Sequence, residues 1–118
     1  NPAVADLYHT MHPAVLMALQ QVVTAAKAAA IPVSLCGELA GDPAGALLLM
    51  GMGYDSLSMN AASLPKVKSV IRNFTLSQSQ AMLQQALQQV CADGVQGVIR
   101  DNLKAAGLTR LHSRYVGN

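Results

Sequence analysis

Cys36, Gly37 and Glu38 stand together at the end of a short apolar run, residues 33–36, that suits a buried parallel strand. A thiol is largely protonated at neutral pH, so Cys36 could donate a proton in catalysis and then act as a base. A free cysteine is also often an inert buried side chain, and both interpretations fit its position. Glu38 could line the mouth of an active site or accept backbone N–H bonds in the loop.

Five other residues with reactive side chains have simpler explanations. His9 and His12 are three apart, as metal ligands can be, but no third ligand is near, and a connecting or interface role is favoured. His112 is interpreted as a solvated residue near the end of the chain. Cys91 follows an apolar helical stripe and is predicted to pack, and Asp42 precedes a proline and is predicted to cap a helix.

The composition has too little charge for an ordinary free-standing domain. Apolar residues make up 52% of the chain, charged residues 12% and aromatic residues 3%, whereas a typical soluble domain has about 25% charged residues. The longest dense apolar run, residues 44–52, is far short of the roughly 20 residues that span a bilayer. No basic segment followed by an apolar one begins the chain, so no signal peptide is predicted. We therefore expect a soluble chain, much of whose surface meets other protein.

Charge and cysteine content disfavour further classes of protein. The net charge of +2 comes from eight basic and six acidic residues, and the basic residues are scattered, which argues against nucleic-acid binding. Two cysteines are too few for a disulfide scaffold and lack the spacing of a metal site. The default expectation is a cytoplasmic protein with no nucleic-acid or membrane partner.

Helical and strand patterns alternate along the first part of the chain. The sequence predicts a helix at 13–30, a strand at 33–36, a helix at 43–51, a strand at 55–59, and helices at 64–73, 76–91 and 95–106. The helix at 43–51 is apolar on most sides, which indicates burial. Gly51 and Gly53 are predicted to stop it, and Gly94 to separate the last two helices.

Two of these helices carry an apolar stripe. In the first helix the stripe consists of Leu16, Leu19, Val22, Val23 and Ala26. In the helix at 76–91 it consists of Ala81, Met82, Leu83, Ala86, Leu87 and Val90.

Strands that alternate with helices pair in parallel. Two parallel strands cannot bury themselves, because parallel sheets are covered on both faces and extended or closed by further strands. The α/β pattern therefore predicts the last two βα units, with terminal helices, of an eight-stranded TIM barrel of roughly 250 residues. Residues 1–118 would then be the C-terminal fragment of one barrel domain. In such barrels the active site lies at the carboxyl ends of the strands, where Cys36 is expected.

Three segments closely resemble the C-terminal part of the phosphoenolpyruvate-protein phosphotransferases, the Enzyme I proteins of the sugar and nitrogen-related phosphotransferase systems. They are residues 33–43, VSLCGELAGDP; residues 47–59, LLLMGMGYDSLSM; and residues 64–72, LPKVKSVIR. The lead-in, residues 1–16, matches as well. This lead-in and the Gly-Asp-Pro spelling at 41–43 look more like the nitrogen-related branch.

The resemblance implies a phosphoenolpyruvate-binding barrel that uses Mg²⁺. In that family a histidine of a separate upstream domain takes the phosphoryl group and passes it to a histidine-containing phosphocarrier protein. The remaining enolate is protonated to pyruvate by the cysteine of the Cys-Gly-Glu motif, which is Cys36 here. Gly37 and Glu38 are candidates for contacting the substrate. The phosphate-clamping arginines and the metal-binding carboxylates of the family lie on earlier strands, so no metal ligand is assigned in this chain.

Two alternatives remain beside a phosphotransferase fragment that is inactive alone. Family members dimerise through the barrel domain, so the chain could be an interaction module that associates with itself. It could also come from the related pyruvate phosphate dikinases or phosphoenolpyruvate synthases, which share the Cys-Gly core of the motif but not the whole run.

Overall fold

The computed structural model of the chain describes residues 11–108, which form six helices and two strands. In chain order these are α1 (Pro13–Ala28), β1 (Ser34–Cys36), α2 (Glu38–Gly41), α3 (Pro43–Met52), β2 (Ser56–Ser58), α4 (Leu64–Ile71), α5 (Leu76–Leu87) and α6 (Ala92–Ala105). The predicted order of helices and strands is confirmed, and the short helix α2 is added between β1 and α3. The fold is α/β, with a small sheet in a mainly helical chain.

The two strands pair in parallel, as predicted. The Cα partners are Ser34 with Ser56, Leu35 with Leu57, and Cys36 with Ser58. At the amino end of the sheet, Asp55 N donates a hydrogen bond to Val33 O at 2.9 Å, and Val33 N donates one to Asp55 Oδ2 at 2.8 Å. These two bonds continue the pairing one step beyond the strands themselves.

Helix α3 forms the centre of the core. Every residue from 43 to 49 is buried, so the prediction of a helix buried on all sides is confirmed. It begins as predicted, because Asp42 Oδ2 accepts a hydrogen bond from Gly45 N at 2.9 Å and so caps the first turn. It ends at Gly53, whose φ of 105° is left-handed. The prediction that Gly51 also stops the helix is wrong, because Gly51 lies inside it.

The remaining helices pack around α3. Helices α4 and α5 contact α3 directly, α6 packs on α5, and α1 also touches α5. Helix α5 begins with a capping box: Gln78 N donates to Thr75 Oγ1 at 3.1 Å, and Thr75 N donates to Gln78 Oε1 at 2.8 Å. Within residues 11–108, no helix is long and apolar enough to cross a bilayer.

The connection between α5 and α6 differs from the prediction. Helix α5 ends at Leu87 instead of residue 91, so Val90 leaves the apolar stripe and is 91% exposed. Helix α6 begins at Ala92, and Gly94 therefore lies inside it and does not separate two helices. Cys91 has extended backbone at the N-cap of α6 and is exposed, so its predicted packing role is wrong.

The apolar stripe of α1 is narrower than predicted. Leu16, Val23 and Ala26 are buried, whereas Val22 is 51% exposed. Only one side of α1 meets the core, because the helix touches the rest of the fold mainly through α5.

Candidate active site

Cys36 lies where the sequence predicts it, at the carboxyl end of a parallel strand. Its register partner Ser58 is the last residue of the neighbouring strand, so the two residues share one edge of the sheet. Both are exposed. Within residues 11–108 the thiol of Cys36 is therefore not buried, and its catalytic role stays a prediction.

The sheet has one covered face and one open face. Leu35 and Leu57 pack against the hydrophobic core. Because successive side chains of a strand point to opposite sides, the residues flanking these leucines share the other side, and all are exposed. We call this surface the open face, and it consists of Ser34, Cys36, Ser56 and Ser58. The prediction of a buried strand is wrong for β1, because Leu35 is only partly buried and Ser34 and Cys36 are exposed.

Gly37 makes the turn that follows Cys36. Its backbone has φ 117° and ψ −166°, a conformation that side chains with a Cβ rarely adopt. The turn leads directly into α2, where Gly41 N donates to Gly37 O at 3.2 Å. The strand end and its thiol therefore stand beside a sharp turn.

Glu38 is the first residue of α2 and is exposed next to the strand end. Its carboxylate makes no hydrogen bond or ion pair with another residue in the 11–108 range. The part that Glu38 plays at the mouth of a site stays a prediction.

The histidines do not assemble a site in the described fold. His12 is the N-cap of α1, and its Nδ1 accepts a hydrogen bond from Ala14 N at 3.0 Å. His9 and His112 lie outside the described residues. Between positions 11 and 108, no three His, Cys, Asp or Glu side chains are grouped so that they could hold a metal ion.

Tyr54 supports the sheet in a way that the sequence analysis missed. It lies between α3 and β2, is 9% exposed, and donates a hydrogen bond from its hydroxyl to Leu19 O of α1 at 3.1 Å. Burial raises the pKa of the Tyr54 hydroxyl above its usual value. The bond joins the segment that enters β2 to the helix that precedes β1. No spacing rule identifies such a residue, since its partner is 35 positions away.

The sequence of the chain matches a known class of enzyme domain. A family model described as the PEP-binding domain of PEP-utilising enzymes matches residues 1–76, well over half of the chain. The chain therefore belongs to this family of phosphoenolpyruvate-utilising enzymes, and Cys36 lies within the matched residues.

Individual relatives are phosphotransferases. The chain is 40% identical over 103 residues to the phosphoenolpyruvate-protein phosphotransferase of Haemophilus influenzae, covering 87% of this chain and 18% of that protein. It is 41% identical over 86 residues to the phosphoenolpyruvate-protein phosphotransferase of Cupriavidus necator. That match covers 73% of this chain and 15% of the Cupriavidus protein. It is 33% identical over 108 residues to an Escherichia coli protein named phosphoenolpyruvate-dependent phosphotransferase system. That match covers 92% of this chain and 14% of the Escherichia coli protein.

These relatives confirm the resemblance to the Enzyme I family. The chain spans less than a fifth of the length of each of them. The assignment to the nitrogen-related branch stays a prediction.

Proposed function

We propose that this chain works as part of a phosphoenolpyruvate-protein phosphotransferase in which Cys36 protonates the enolate of pyruvate. The observation that carries the proposal is the exposed thiol at the carboxyl end of a parallel strand, in a chain of the phosphoenolpyruvate-utilising family. Relatives of similar sequence are named phosphoenolpyruvate-protein phosphotransferases.

The proposed reaction balances as follows. A histidine nitrogen of another domain attacks the phosphorus of phosphoenolpyruvate, and the P–O bond breaks with its electron pair left on the enolate oxygen. That charge is shared with the methylene carbon, which takes the proton from the Cys36 thiol and so becomes the methyl group of pyruvate. The thiolate then recovers a proton from solvent, and the phosphohistidine passes its phosphoryl group to a phosphocarrier protein.

We further propose that β1, β2 and their helices belong to a TIM barrel. Parallel pairing, alternation of strands and helices, and the Ser and Cys side chains of the open face support this proposal. In a barrel one side of each strand meets the surrounding helices and the other side faces the interior. The open face would then be part of the interior surface beside the active site.

Between residues 11 and 108 no three possible ligands are grouped, so these residues could not by themselves supply a full set of ligands for Mg²⁺, an ion that takes carboxylate oxygens, water and substrate phosphates. We propose that the metal-binding carboxylates, the arginines that clamp the phosphate and the phosphorylated histidine belong to other parts of the enzyme. Bound Mg²⁺ would stabilise negative charge on the enolate oxygen.

The test compares the two cysteines in the intact enzyme. We expect Cys36→Ala to lower the rate of pyruvate formation about 10²- to 10⁴-fold, the usual contribution of a positioned acid, while phosphoenolpyruvate binding stays within about threefold. Cys91→Ala, at the other exposed cysteine, should leave both unchanged. Wild-type turnover in Cys36→Ala would refute the acid role.

The isolated chain of 118 residues gives a second test. One proton donor without a phosphate clamp cannot stabilise the charge that develops during phosphoryl transfer. We therefore expect no pyruvate above background when the chain is incubated with phosphoenolpyruvate, Mg²⁺ and a phosphocarrier protein. Turnover by the chain alone would contradict the proposal that the phosphate-clamping arginines and the phosphorylated histidine belong to other parts of the enzyme.

We propose the nitrogen-related branch on the basis of residues 1–16 and 41–43. The test offers the intact enzyme the sugar-type and the nitrogen-type phosphocarrier in separate assays. Faster phosphorylation of the nitrogen-type carrier is expected, and faster phosphorylation of the sugar-type carrier would reverse the assignment. No observation favours the dikinase or synthase alternative.

A second proposal is that the chain associates with itself through α1. Val15 and Val22 lie two turns apart on the same flank of this helix and are 43% and 51% exposed, and the chain has few charges to keep such surfaces apart. We expect a dimer or larger species by sedimentation at tens of micromolar. Val22→Lys should shift it towards the monomer, and Ala81→Lys, at an exposed position of α5, should not. A monomeric wild-type chain would overturn the proposal.

A further inference from the structure

The segments that follow the two strands meet at Gly41, the last residue of α2. A Cβ added at Gly41 would lie 3.2 Å from Ser63 Oγ and 3.4 Å from Met59 Cβ, both in the segment that follows β2. The first distance is tighter than ordinary van der Waals contact, so the hydroxyl would have to move. Helix α2 also contacts both strands of the sheet. The absence of a side chain at Gly41 thus lets α2 lie directly against the residues after β2.

Ser63 is held by a closed turn, residues 60–63, which we call the 60–63 turn. Its hydroxyl donates a hydrogen bond to Asn60 Oδ1 at 2.9 Å, and its backbone N–H donates one to Asn60 O at 3.1 Å. Rotating the hydroxyl away from an added Cβ would break the first of these bonds, which costs free energy. The close approach at Gly41 is therefore made to a turn that resists displacement.

Helix α2 connects this contact to the end of β1. It is a single turn of four residues, and Gly41 N donates to Gly37 O at 3.2 Å, so its two ends are joined by one hydrogen bond. Gly37 directly follows Cys36 and makes the sharp turn with φ 117°. On its other side α2 packs on α3 and buries Ala40 completely, so it has no room to move that way. A displacement at Gly41 therefore reaches the peptide beside the thiol.

We propose that Gly41 is a positioning residue for the Cys36 thiol; this inference rests on the proposed function above. Because Gly41 lets α2 fit between α3 and the 60–63 turn, it holds the Gly37 turn and the thiol before it in one place at the strand end. Proton transfer to the enolate carbon depends on that placement, since a misplacement of about 1 Å can cost about 10²-fold in rate. A side chain at position 41 would press on the 60–63 turn and shift the thiol.

One test measures the contact in the 118-residue chain and needs no catalytic activity. Gly41→Ala is made alone and together with Ser63→Ala, which removes the hydroxyl that the new Cβ would meet. We expect Gly41→Ala to lower the midpoint of thermal unfolding by about 3–6 °C in the wild-type background. In the Ser63→Ala background the same change should lower it by less than about 2 °C. Equal shifts in the two backgrounds would show that positions 41 and 63 are not coupled and would overturn the inference.

A second test uses the intact enzyme without a phosphocarrier protein, so that each active molecule forms one pyruvate. Gly41→Ala should lower the rate constant about five- to thirtyfold, while the phosphoenolpyruvate concentration that gives half the maximal rate stays within about threefold. Adding Ser63→Ala should restore the rate constant to within about threefold of wild type. A purely structural defect would lower the amount of pyruvate formed, because fewer molecules are folded, and would leave the rate constant unchanged.

Two control variants accompany this measurement. Ser63→Ala alone should stay within about threefold of the wild-type rate constant, because it enlarges the space at Gly41 without displacing α2. Gly97→Ala is the matched change at a helical glycine where a new Cβ meets only the tip of Arg100, and it should leave the rate constant unchanged.

The outcomes separate the two proposals. If Cys36→Ala slows turnover but Gly41→Ala keeps the wild-type rate constant, the positioning role of Gly41 is overturned and the proton donor stands. Failure of Ser63→Ala to restore the Gly41→Ala rate constant would overturn the positioning role as well. If Cys36→Ala leaves turnover unchanged, the proposed function fails and the positioning role fails with it, whatever the thermal measurement shows.

Discussion

Helix α3 and the open face of the sheet are adjacent in sequence and opposite in character. Every residue of α3 from 43 to 49 is buried among described neighbours. On the open face, Ser34, Cys36, Ser56 and Ser58 are all exposed. The first region finds its packing partners within residues 11–108, whereas the second presents small polar groups outward. Helix α3 therefore contributes mainly to the stability of the core, whereas the exposed residues of the open face are accessible to other molecules.

The largest expected difference between the two regions is in stability. Leu48→Ala should lower the free energy of unfolding by about 3–5 kcal/mol, because Leu48 is fully buried and the change leaves a cavity. Ser56→Ala on the open face should change it by less than about 0.5 kcal/mol. Urea denaturation followed by circular dichroism measures both. Similar losses in the two variants would show that the two regions do not differ in their contribution to stability.

Two helical glycines, Gly45 and Gly97, differ in the space available for an added Cβ atom. A Cβ at Gly45 of α3 would overlap the carbonyl oxygen of Leu39, so Gly45→Ala should cost about 1–3 kcal/mol. At Gly97 of α6 the nearest atom is the tip of Arg100, 3.5 Å away, and Gly97→Ala should stabilise by about 0.5–1 kcal/mol. Thermal unfolding measures both variants: the midpoint temperature should fall for Gly45→Ala and rise for Gly97→Ala. A stabilising Gly45→Ala would mean that α2 and α3 pack more loosely than described.

Tyr54 predicts a pH dependence. At pH 7, Tyr54→Phe should cost about 0.5–1.5 kcal/mol through the lost hydrogen bond to Leu19 O. Burial raises the pKa of the Tyr54 hydroxyl, so folding favours its neutral form. That contribution is complete below about pH 10, the usual tyrosine value, and is lost as pH rises through the higher value of the folded state. Unfolding free energies from pH 8 to 11.5 should converge for wild type and Tyr54→Phe, and parallel curves would show that the hydroxyl is solvated.

The smallest expected effect tests the core itself. Ser79 is fully buried on α5, and its Oγ has no hydrogen-bond partner among the described residues. Ser79→Ala removes an unmet polar group and should stabilise the fold by up to about 1 kcal/mol. Ser77→Ala, an exposed position of the same helix, should gain only a few tenths of a kcal/mol through helix propensity. A loss in Ser79→Ala would indicate that the hydroxyl is bonded after all.

Much of the fold followed from local signals. The pair Asp42-Pro43 marked the start of α3, and the apolar run after it indicated burial. Gly51 was misread as a stop signal, because its role depends on α5: a Cβ there would lie 2.8 Å from Ser79 O. A glycine that permits close helix packing and one that ends a helix look alike in sequence.

The candidate site was predicted by position but not by environment. The end of β1 placed Cys36 correctly, whereas its exposure depends on which side of the strand the helices cover. The alternation Ser34-Leu35-Cys36 did carry that information, since a period of two indicates a strand covered on one face. The Thr75 and Gln78 pair carried the signal for the cap of α5 in the same way. The bond from Tyr54 to α1 had no local signal at all.

The two hydrogen bonds between Val33 and Asp55 act on the chemistry from the far end of the sheet. They lie about 10 Å from Cys36 along the strand direction, and they fix which residue of β1 stands opposite which residue of β2. A slip of the pairing by one residue reverses the side to which every side chain points. Leu35 would then point outward and the Cys36 thiol would turn towards the helices. Asp55, although it lies at the other end of the strand, thus keeps the thiol of the proposed proton donor on the exposed side of the sheet.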